Sequence, residues 1–172
     1  GDTNVDSHLG LPIVEKSITE LKNMEIKPFK EAIENGINGV MISHILYPAL
    51  DDKFPASLSY NIITKLLKEE LGFKGLIITD SLTMAAIWRK YSIDEIVLNA
   101  VNAGNDIIMF CGTADLEMQK EIIASFRKLV NNGKIPLSRI DESVQKIISL
   151  KDKYQSLPNE EINNSIKNIV NN

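Results

Sequence analysis

Asp80 is the carboxylate whose place in the sequence most strongly indicates chemistry. It directly follows a strand-like run at residues 76–79. Catalytic groups of parallel α/β folds lie just past the carboxyl ends of strands, so a carboxylate at this point can take part in catalysis. Alternatively, Asp80 caps a helix from Leu82 onward, because aspartate is a good N-cap and helix amino ends favour anions. The position alone leaves both interpretations open.

Asp6 and His8 form a second candidate group near the start of the chain. A carboxylate two residues from a histidine can accept a hydrogen bond from one ring nitrogen, which fixes the tautomer and leaves the other nitrogen for proton transfer. This spacing is common by chance, and a single histidine is more often a hydrogen-bonded structural residue. The spacing therefore indicates an acid/base pair without excluding a structural role.

The remaining histidine and the single cysteine favour structural roles. We expect His44, at the end of an apolar run, to bond to backbone or to a neighbouring strand-end group. Cys111 ends another apolar run and has no evident activating partner, so it is predicted to be a small buried residue. With one cysteine the fold does not depend on an intrachain disulfide, which leaves both a cytoplasmic and a secreted localisation open.

The elements that must position these residues alternate along the chain. Short apolar runs at residues 40–43, 76–79 and 106–110 predict parallel strands that are covered on both faces. Capping residues and apolar spacing predict helices at a first turn from Ser17, at 29–34, between Ser59 and Gly72, and at 94–103, 115–131 and 138–150. Such alternation predicts an α/β fold with a parallel sheet and right-handed crossovers.

The amino-acid composition limits the classes of protein to which this chain can belong. Of the 172 residues, 44% are hydrophobic and 24% are charged, which is ordinary for a globular domain. The net charge of −4 argues against a nucleic-acid partner, which needs clustered positive charge. No apolar stretch is long enough for a membrane span.

Several segments together resemble glycoside hydrolase family 3, in its β-N-acetylglucosaminidase branch. The matching segments are GDTNVDSHLGLP at 1–12, then residues 28–51, 55–84, 102–109 and 139–144. The resemblance covers roughly residues 1–150, in the right order and spacing throughout. It is therefore much more specific than any single motif.

This resemblance implies an incomplete TIM-type (β/α)8 barrel. Residues 1–154 would carry about strands 6 to 8 with their helices, and residues 155–172 would form a polar tail or a weak terminal helix. In the family, the GDT segment follows a Lys-His-Phe-Pro-Gly-His segment, with which this chain does not begin. The expectation is therefore a fragment whose partner is the missing N-terminal half of the barrel or a second copy.

The resemblance also implies the chemistry. Asp80 matches the family nucleophile, Asp6 and His8 match the acid/base dyad of the N-acetylglucosaminidase branch, and Met84 matches a residue that lines the sugar pocket. The expected activity is release of terminal β-linked N-acetylglucosamine with retention of configuration, without a metal or cofactor. The natural partner of the site would be a glycan that contains N-acetylglucosamine, such as a fragment of peptidoglycan or chitin.

Two rival hypotheses remain at this point. A metal-dependent hydrolase would use Asp6, His8, His44 and Asp80 as ligands, although no close-spaced His-x-His or HExxH pattern supports it. Alternatively, the chain by itself is a non-catalytic piece that associates with itself or with a missing partner.

Overall fold

The structure is a computed structural model that describes residues 3, 6, 9–112 and 114–155. The predictions for His8 and for the tail after Gln155 lie outside these residues. In chain order the elements are α1 (Ile18–Asn23), α2 (Lys27–Glu34), β1 (Gly39–Ile42), a 3-10 helix (Ala56–Leu58), a π-helix (Asn61–Glu70), β2 (Leu76–Ser81), α3 (Ala85–Trp88), α4 (Ile93–Ala103), β3 (Ile107–Met109), α5 (Leu116–Asn131) and α6 (Leu137–Gln155). None of the helices in the described ranges is long and apolar enough to cross a membrane.

Local sequence signals set the helix starts. The Ser17 side chain accepts a hydrogen bond from the Glu20 amide, and the Glu20 carboxylate accepts one from the Ser17 amide, so the predicted capping box of α1 is confirmed. Ser92 and Glu95 form the same arrangement at α4. Because Ser92 is the N-cap, α4 begins one residue before the predicted start at Asp94.

Gly104 ends α4 as predicted and also lets the end of α4 lie close to the π-helix. Its φ of +112° lies in the left-handed region, where a side chain would be strained. A Cβ at this position would lie 2.7 Å from the hydroxyl oxygen of Thr64. Both the backbone angle and the close approach therefore require glycine.

The three strands form a parallel sheet in the order β1-β2-β3. Val40 lies beside Ile77 and Ile42 lies beside Thr79 in the β1–β2 pairing. This confirms the predicted α/β class, the parallel sheet and the approximate positions of all three strands. The middle strand runs further than predicted, through Ser81, so Asp80 belongs to the strand itself.

The helices cover one face of strand β1. Val40 and Ile42 are 5% and 7% exposed and pack in a cluster with Ile63 and Leu67 of the π-helix. Met41 points to the opposite face of β1 and is 56% exposed. The prediction that every strand is covered on both faces is therefore wrong for β1, because the described residues place helices against only one of its faces.

Candidate active site at the carboxyl end of the middle strand

A bulge in β2 determines how Asp80 is presented. Ile78 pairs with Ile107 and Ser81 pairs with Met109, so β2 has one residue more than β3 between these two pairs. The Thr79 hydroxyl accepts the Met109 amide at 3.0 Å, in place of a backbone carbonyl. Bulges redirect side chains and are frequent beside active sites.

Asp80 does not act as a helix cap. The helix that follows, α3, begins at Ala85 and has Met84 as its N-cap residue, without a side-chain capping bond. The Asp80 carboxylate instead accepts a hydrogen bond from the Ser81 amide at 2.7 Å. The capping interpretation is therefore wrong, because the chain stays extended to Ser81 and does not enter a helix at Leu82.

Ser81 connects Asp80 to the two neighbouring strands. Its hydroxyl oxygen accepts the Cys111 amide at 2.9 Å and lies 2.8 Å from the Thr83 hydroxyl. Its carbonyl oxygen lies 2.8 Å from Nε2 of His44. Ser81, the residue next to the candidate nucleophile, is therefore hydrogen-bonded to the segments that follow the two neighbouring strands.

His44 has the structural environment predicted for it. Its side chain is completely buried, with Nδ1 at 2.8 Å from the Ser57 hydroxyl and Nε2 at 2.8 Å from the Ser81 carbonyl. A carbonyl oxygen only accepts, so Nε2 carries a hydrogen and donates it. Both ring nitrogens have hydrogen-bond partners, which disfavours a metal-ligand role for His44.

An open cavity of about 490 Å³ lies in front of this strand end. Asp80, Met84, Trp88, Arg89 and Cys111 contribute to its wall. Met84 contributes from a largely buried position, since it is 9% exposed. The arrangement places a carboxylate in a cleft with both an apolar and an aromatic wall, where it can reach a bound molecule.

Cys111 is exposed, so the prediction of a small buried residue is wrong. Strand β3 ends at Met109, and beyond it the Cys111 backbone is held by hydrogen bonds from the Thr83 hydroxyl, at 2.6 Å, and to Ser81. The side chain is thus left at the rim of the cavity instead of in the sheet.

Trp88 and Arg89 were not identified from the sequence. An aromatic and a charged residue are both common in helices, so neither indicates a site by its type. The short helix α3 brings both of them to the cavity that Asp80 lines. The one signal available was that this is the single tryptophan of the chain.

The predicted dyad is only partly covered by the structure. Asp6 is exposed, and its carbonyl accepts the Leu9 amide at 2.9 Å and the Gly10 amide at 3.1 Å, which forms a turn. His8 lies outside the described residues. Within the described part of the chain, no group of three His, Cys, Asp or Glu side chains is arranged to hold a metal ion.

Comparison with known proteins places this chain in a family. The model of the glycosyl hydrolase family 3 N-terminal domain matches residues 1–150. The chain is 34% identical to beta-hexosaminidase A of Pseudoalteromonas piscicida in an alignment of 169 positions that covers 89% of this chain and 28% of that protein. It is 37% identical to a beta-hexosaminidase of Neisseria meningitidis serogroup B over 111 residues, 64% of this chain and 30% of the other.

Solved structures agree with these sequence matches. A family 3 β-N-acetylglucosaminidase from Paenibacillus superposes with a TM-score of 0.84 at 41% identity, over 88% of this chain and 29% of that protein. CbsA from Thermotoga neapolitana superposes with a TM-score of 0.81 at 35% identity, over 91% of this chain and 34% of that one. This chain thus spans about a third or less of these relatives. The match to residues 1–150 shows that the chain belongs to glycosyl hydrolase family 3 and that its sheet is part of the TIM-type barrel region of the family's N-terminal domain.

Proposed function

We propose that this chain supplies the carboxyl-terminal part of the catalytic barrel of a retaining β-N-acetylglucosaminidase, with Asp80 as the nucleophile. Strands β1, β2 and β3 would be the sixth, seventh and eighth of the barrel. The observation that carries the proposal is the Asp80 carboxylate, which stands at a bulged strand end and lines an open cavity. The family membership supplies the reaction class.

The proposed reaction has two steps. An Asp80 carboxylate oxygen attacks the anomeric carbon, the bond from that carbon to the leaving oxygen breaks, and His8 gives its proton to that oxygen. His8 then removes a proton from water, which attacks the same carbon and releases Asp80. Asp6 would orient the His8 ring through a hydrogen bond. Each step inverts the anomeric carbon, so the configuration is retained overall.

The proposed substrate is a glycan with a terminal β-linked N-acetylglucosamine. Relatives at 34% to 41% identity are named beta-hexosaminidase or β-N-acetylglucosaminidase, which supports this choice. Met84 would pack against the sugar from the wall of the cavity that Asp80 lines. The reaction requires neither a metal nor a cofactor, because the carboxylate and the imidazole supply the nucleophile and the proton.

The proposed macromolecular partner is the rest of the barrel. Met41 exposes an apolar side chain on the face that the helices leave open, and β1 is at the edge of the described sheet. An apolar edge of this kind favours pairing with further strands. The relatives contain about three times the length that this chain matches, which is enough for the other strands of a barrel. Self-association of the chain through the same face is the alternative outcome.

A chimera tests the proposal directly. Residues 1–155 of this chain would replace the matching segment of the Paenibacillus β-N-acetylglucosaminidase, and hydrolysis of an aryl N-acetyl-β-glucosaminide would be followed. We expect activity in the chimera and a loss of about 10⁴-fold or more in kcat for Asp80→Ala. Asp141→Asn, at an exposed carboxylate of α6, is the matched control and should retain activity.

The outcomes separate the hypotheses. A folded Asp80→Ala chimera that keeps substantial activity would refute the nucleophile assignment. Gel filtration of the unaltered chain, alone and mixed with the amino-terminal segment of the Paenibacillus barrel, tests the partner. A stable complex only with itself would favour self-association over barrel completion.

A further inference from the structure

Ser81 is held at three separate atoms, and one of these bonds reaches the candidate nucleophile. Its amide donates to the Asp80 carboxylate at 2.7 Å, and its hydroxyl oxygen accepts the Cys111 amide at 2.9 Å. Its carbonyl accepts from Nε2 of His44 at 2.8 Å. The orientation of the Ser81 backbone therefore fixes the direction from which the Asp80 carboxylate receives its hydrogen bond.

The bond from His44 connects Ser81, at the end of β2, to the segment that follows β1. The imidazole is completely buried, and the Ser57 hydroxyl lies 2.8 Å from Nδ1. Nε2 donates to the Ser81 carbonyl, and Nδ1 shares a second hydrogen bond with the Ser57 hydroxyl. The Ser57 carbonyl in turn accepts from the buried Asn105 amide group at 2.9 Å. The chain of bonds thus starts at two buried residues, Asn105 and Ser57.

The bulge in β2 makes the position of Asp80 depend on the hydrogen bond from His44 to the Ser81 carbonyl. At Thr79 and Asp80 the regular ladder between β2 and β3 is interrupted, so side-chain hydrogen bonds replace backbone pairing there. The Ser81 carbonyl also accepts the Met84 amide at 3.1 Å, and the Leu82 amide of the same peptide unit donates to the Met109 carbonyl at 2.8 Å. Loss of the His44 bond would therefore loosen this peptide unit without freeing it, and would shift the Ser81 amide relative to the carboxylate. A displacement of about 1 Å in a reacting group can cost on the order of 10²-fold in rate.

We infer that His44 is a positioning residue for Asp80, and that it acts by holding the Ser81 carbonyl from the buried side of the sheet. The inference rests on the proposed role of Asp80. His44 would act without contacting the substrate, since its ring is buried and both nitrogens have protein partners. It acts on the rate of the covalent step and leaves sugar affinity unchanged.

The test compares His44→Leu with His44→Gln in the chimera described above. Glutamine retains an N–H donor close to the place of Nε2, whereas leucine fills the volume without a donor. A fluorinated N-acetylglucosaminide that accumulates the covalent intermediate reports the inactivation rate constant and the inhibitor affinity separately. Ser143→Ala is the control for stability, because Ser143 is buried at the opposite end of the sheet and bonds to Asp106.

We expect His44→Leu to lower the inactivation rate constant by about 30-fold or more, with inhibitor affinity within about threefold of the unaltered chimera. His44→Gln should recover most of the rate, and Ser143→Ala should retain it even if it lowers the melting temperature. The inference is overturned if His44→Leu reacts at the unaltered rate, if glutamine fails to rescue, or if Ser143→Ala loses the same rate.

A second measurement separates this inference from the proposed function. Mass spectrometry of the inactivated chimera identifies the labelled residue, and a label on another residue would refute Asp80 as nucleophile. Amide hydrogen exchange rates, measured on this chain alone, report whether His44 restrains the backbone at Ser81. We expect faster exchange of the Ser81 and Cys111 amides in His44→Leu and unaltered exchange in Ser143→Ala. Unaltered exchange at both amides in His44→Leu would overturn the positioning role even if Asp80 is labelled.

Discussion

The guanidinium of Arg139 lies 3.3 Å from the carboxylate of Asp106, and the two side chains are only 14% and 0% exposed. The second carboxylate oxygen of Asp106 accepts the Ile77 amide at 3.1 Å, and Ser143 donates to the first at 2.7 Å. Helix α6 is therefore attached to the amino ends of β2 and β3, at the end of the sheet opposite Asp80. Contacts at that end of a barrel serve stability and not catalysis.

Removal of this anchor should destabilise the chain strongly. We expect Asp106→Ala to lower the free energy of unfolding by about 3–5 kcal/mol, because Arg139 loses its buried counter-ion and keeps only the half-exposed Glu142, 3.5 Å away. Urea denaturation of the variant and of Asp141→Asn, which changes an exposed carboxylate on the same helix, gives the comparison. Equal midpoints for the two variants would show that the ion pair contributes nothing.

The acid role of His8 makes a prediction about leaving groups. In the chimera, His8→Ala should slow substrates with poor leaving groups by about 10²-fold to 10⁴-fold, since these need a proton in the first step. Aryl glycosides with activated leaving groups should be slowed much less. Measurement of kcat/KM across a series of leaving groups tests this. The same loss for every substrate would count against proton donation by His8.

The N-cap of α4 should contribute a measurable share of stability. Ser92 accepts the Glu95 amide, and α4 carries core residues such as Ile96 and Val97. We expect Ser92→Ala to lower the free energy of unfolding by about 1 kcal/mol. Ser138→Ala, at an exposed position in the first turn of α6, is the control and should change little. A loss no larger than that of the control would contradict the capping assignment.

The pH dependence of stability should report the contact between α4 and α5. Hydrogen bonds from Lys128 and then Ser125 hold the pKa of the Asp94 carboxyl below its ordinary value of 3.8. A carboxyl with a lowered folded-state pKa contributes stability that is complete above its unfolded-state pKa and is lost as the pH falls through the folded-state pKa. We therefore expect Lys128→Met to destabilise the chain at neutral pH and to have little effect in strong acid.

NMR titration of Asp94 and urea midpoints at the two pH values check this expectation. In Lys128→Met the pKa of Asp94 should rise towards 3.8. Lys151→Met, at an exposed position on α6, is the matched control. If Lys128→Met loses the same stability at both pH values, its effect comes from packing and not from Asp94.

Much of the architecture could be predicted because its causes are local. The capping box of Ser17 and Glu20, the stop at Gly104 and the apolar runs of the strands each depend on residues within one turn or one strand. The position of Asp80 directly after such a run also marked the candidate site. These signals suffice for the order of the strands and of the longer helices, but not for the short α3 or the 3-10 helix. The combined segments sufficed for the family.

The tertiary structure decided how the site residues are held. One partner of His44 is the Ser81 carbonyl, 37 residues away, and the exposure of Cys111 depends on where β3 ends. The bulge beside Asp80 depends on the register between two strands, and the open face at Met41 depends on where the helices pack. No local pattern contains this information, because hydrogen-bond partners and burial follow from contacts between segments that only the folded chain brings together.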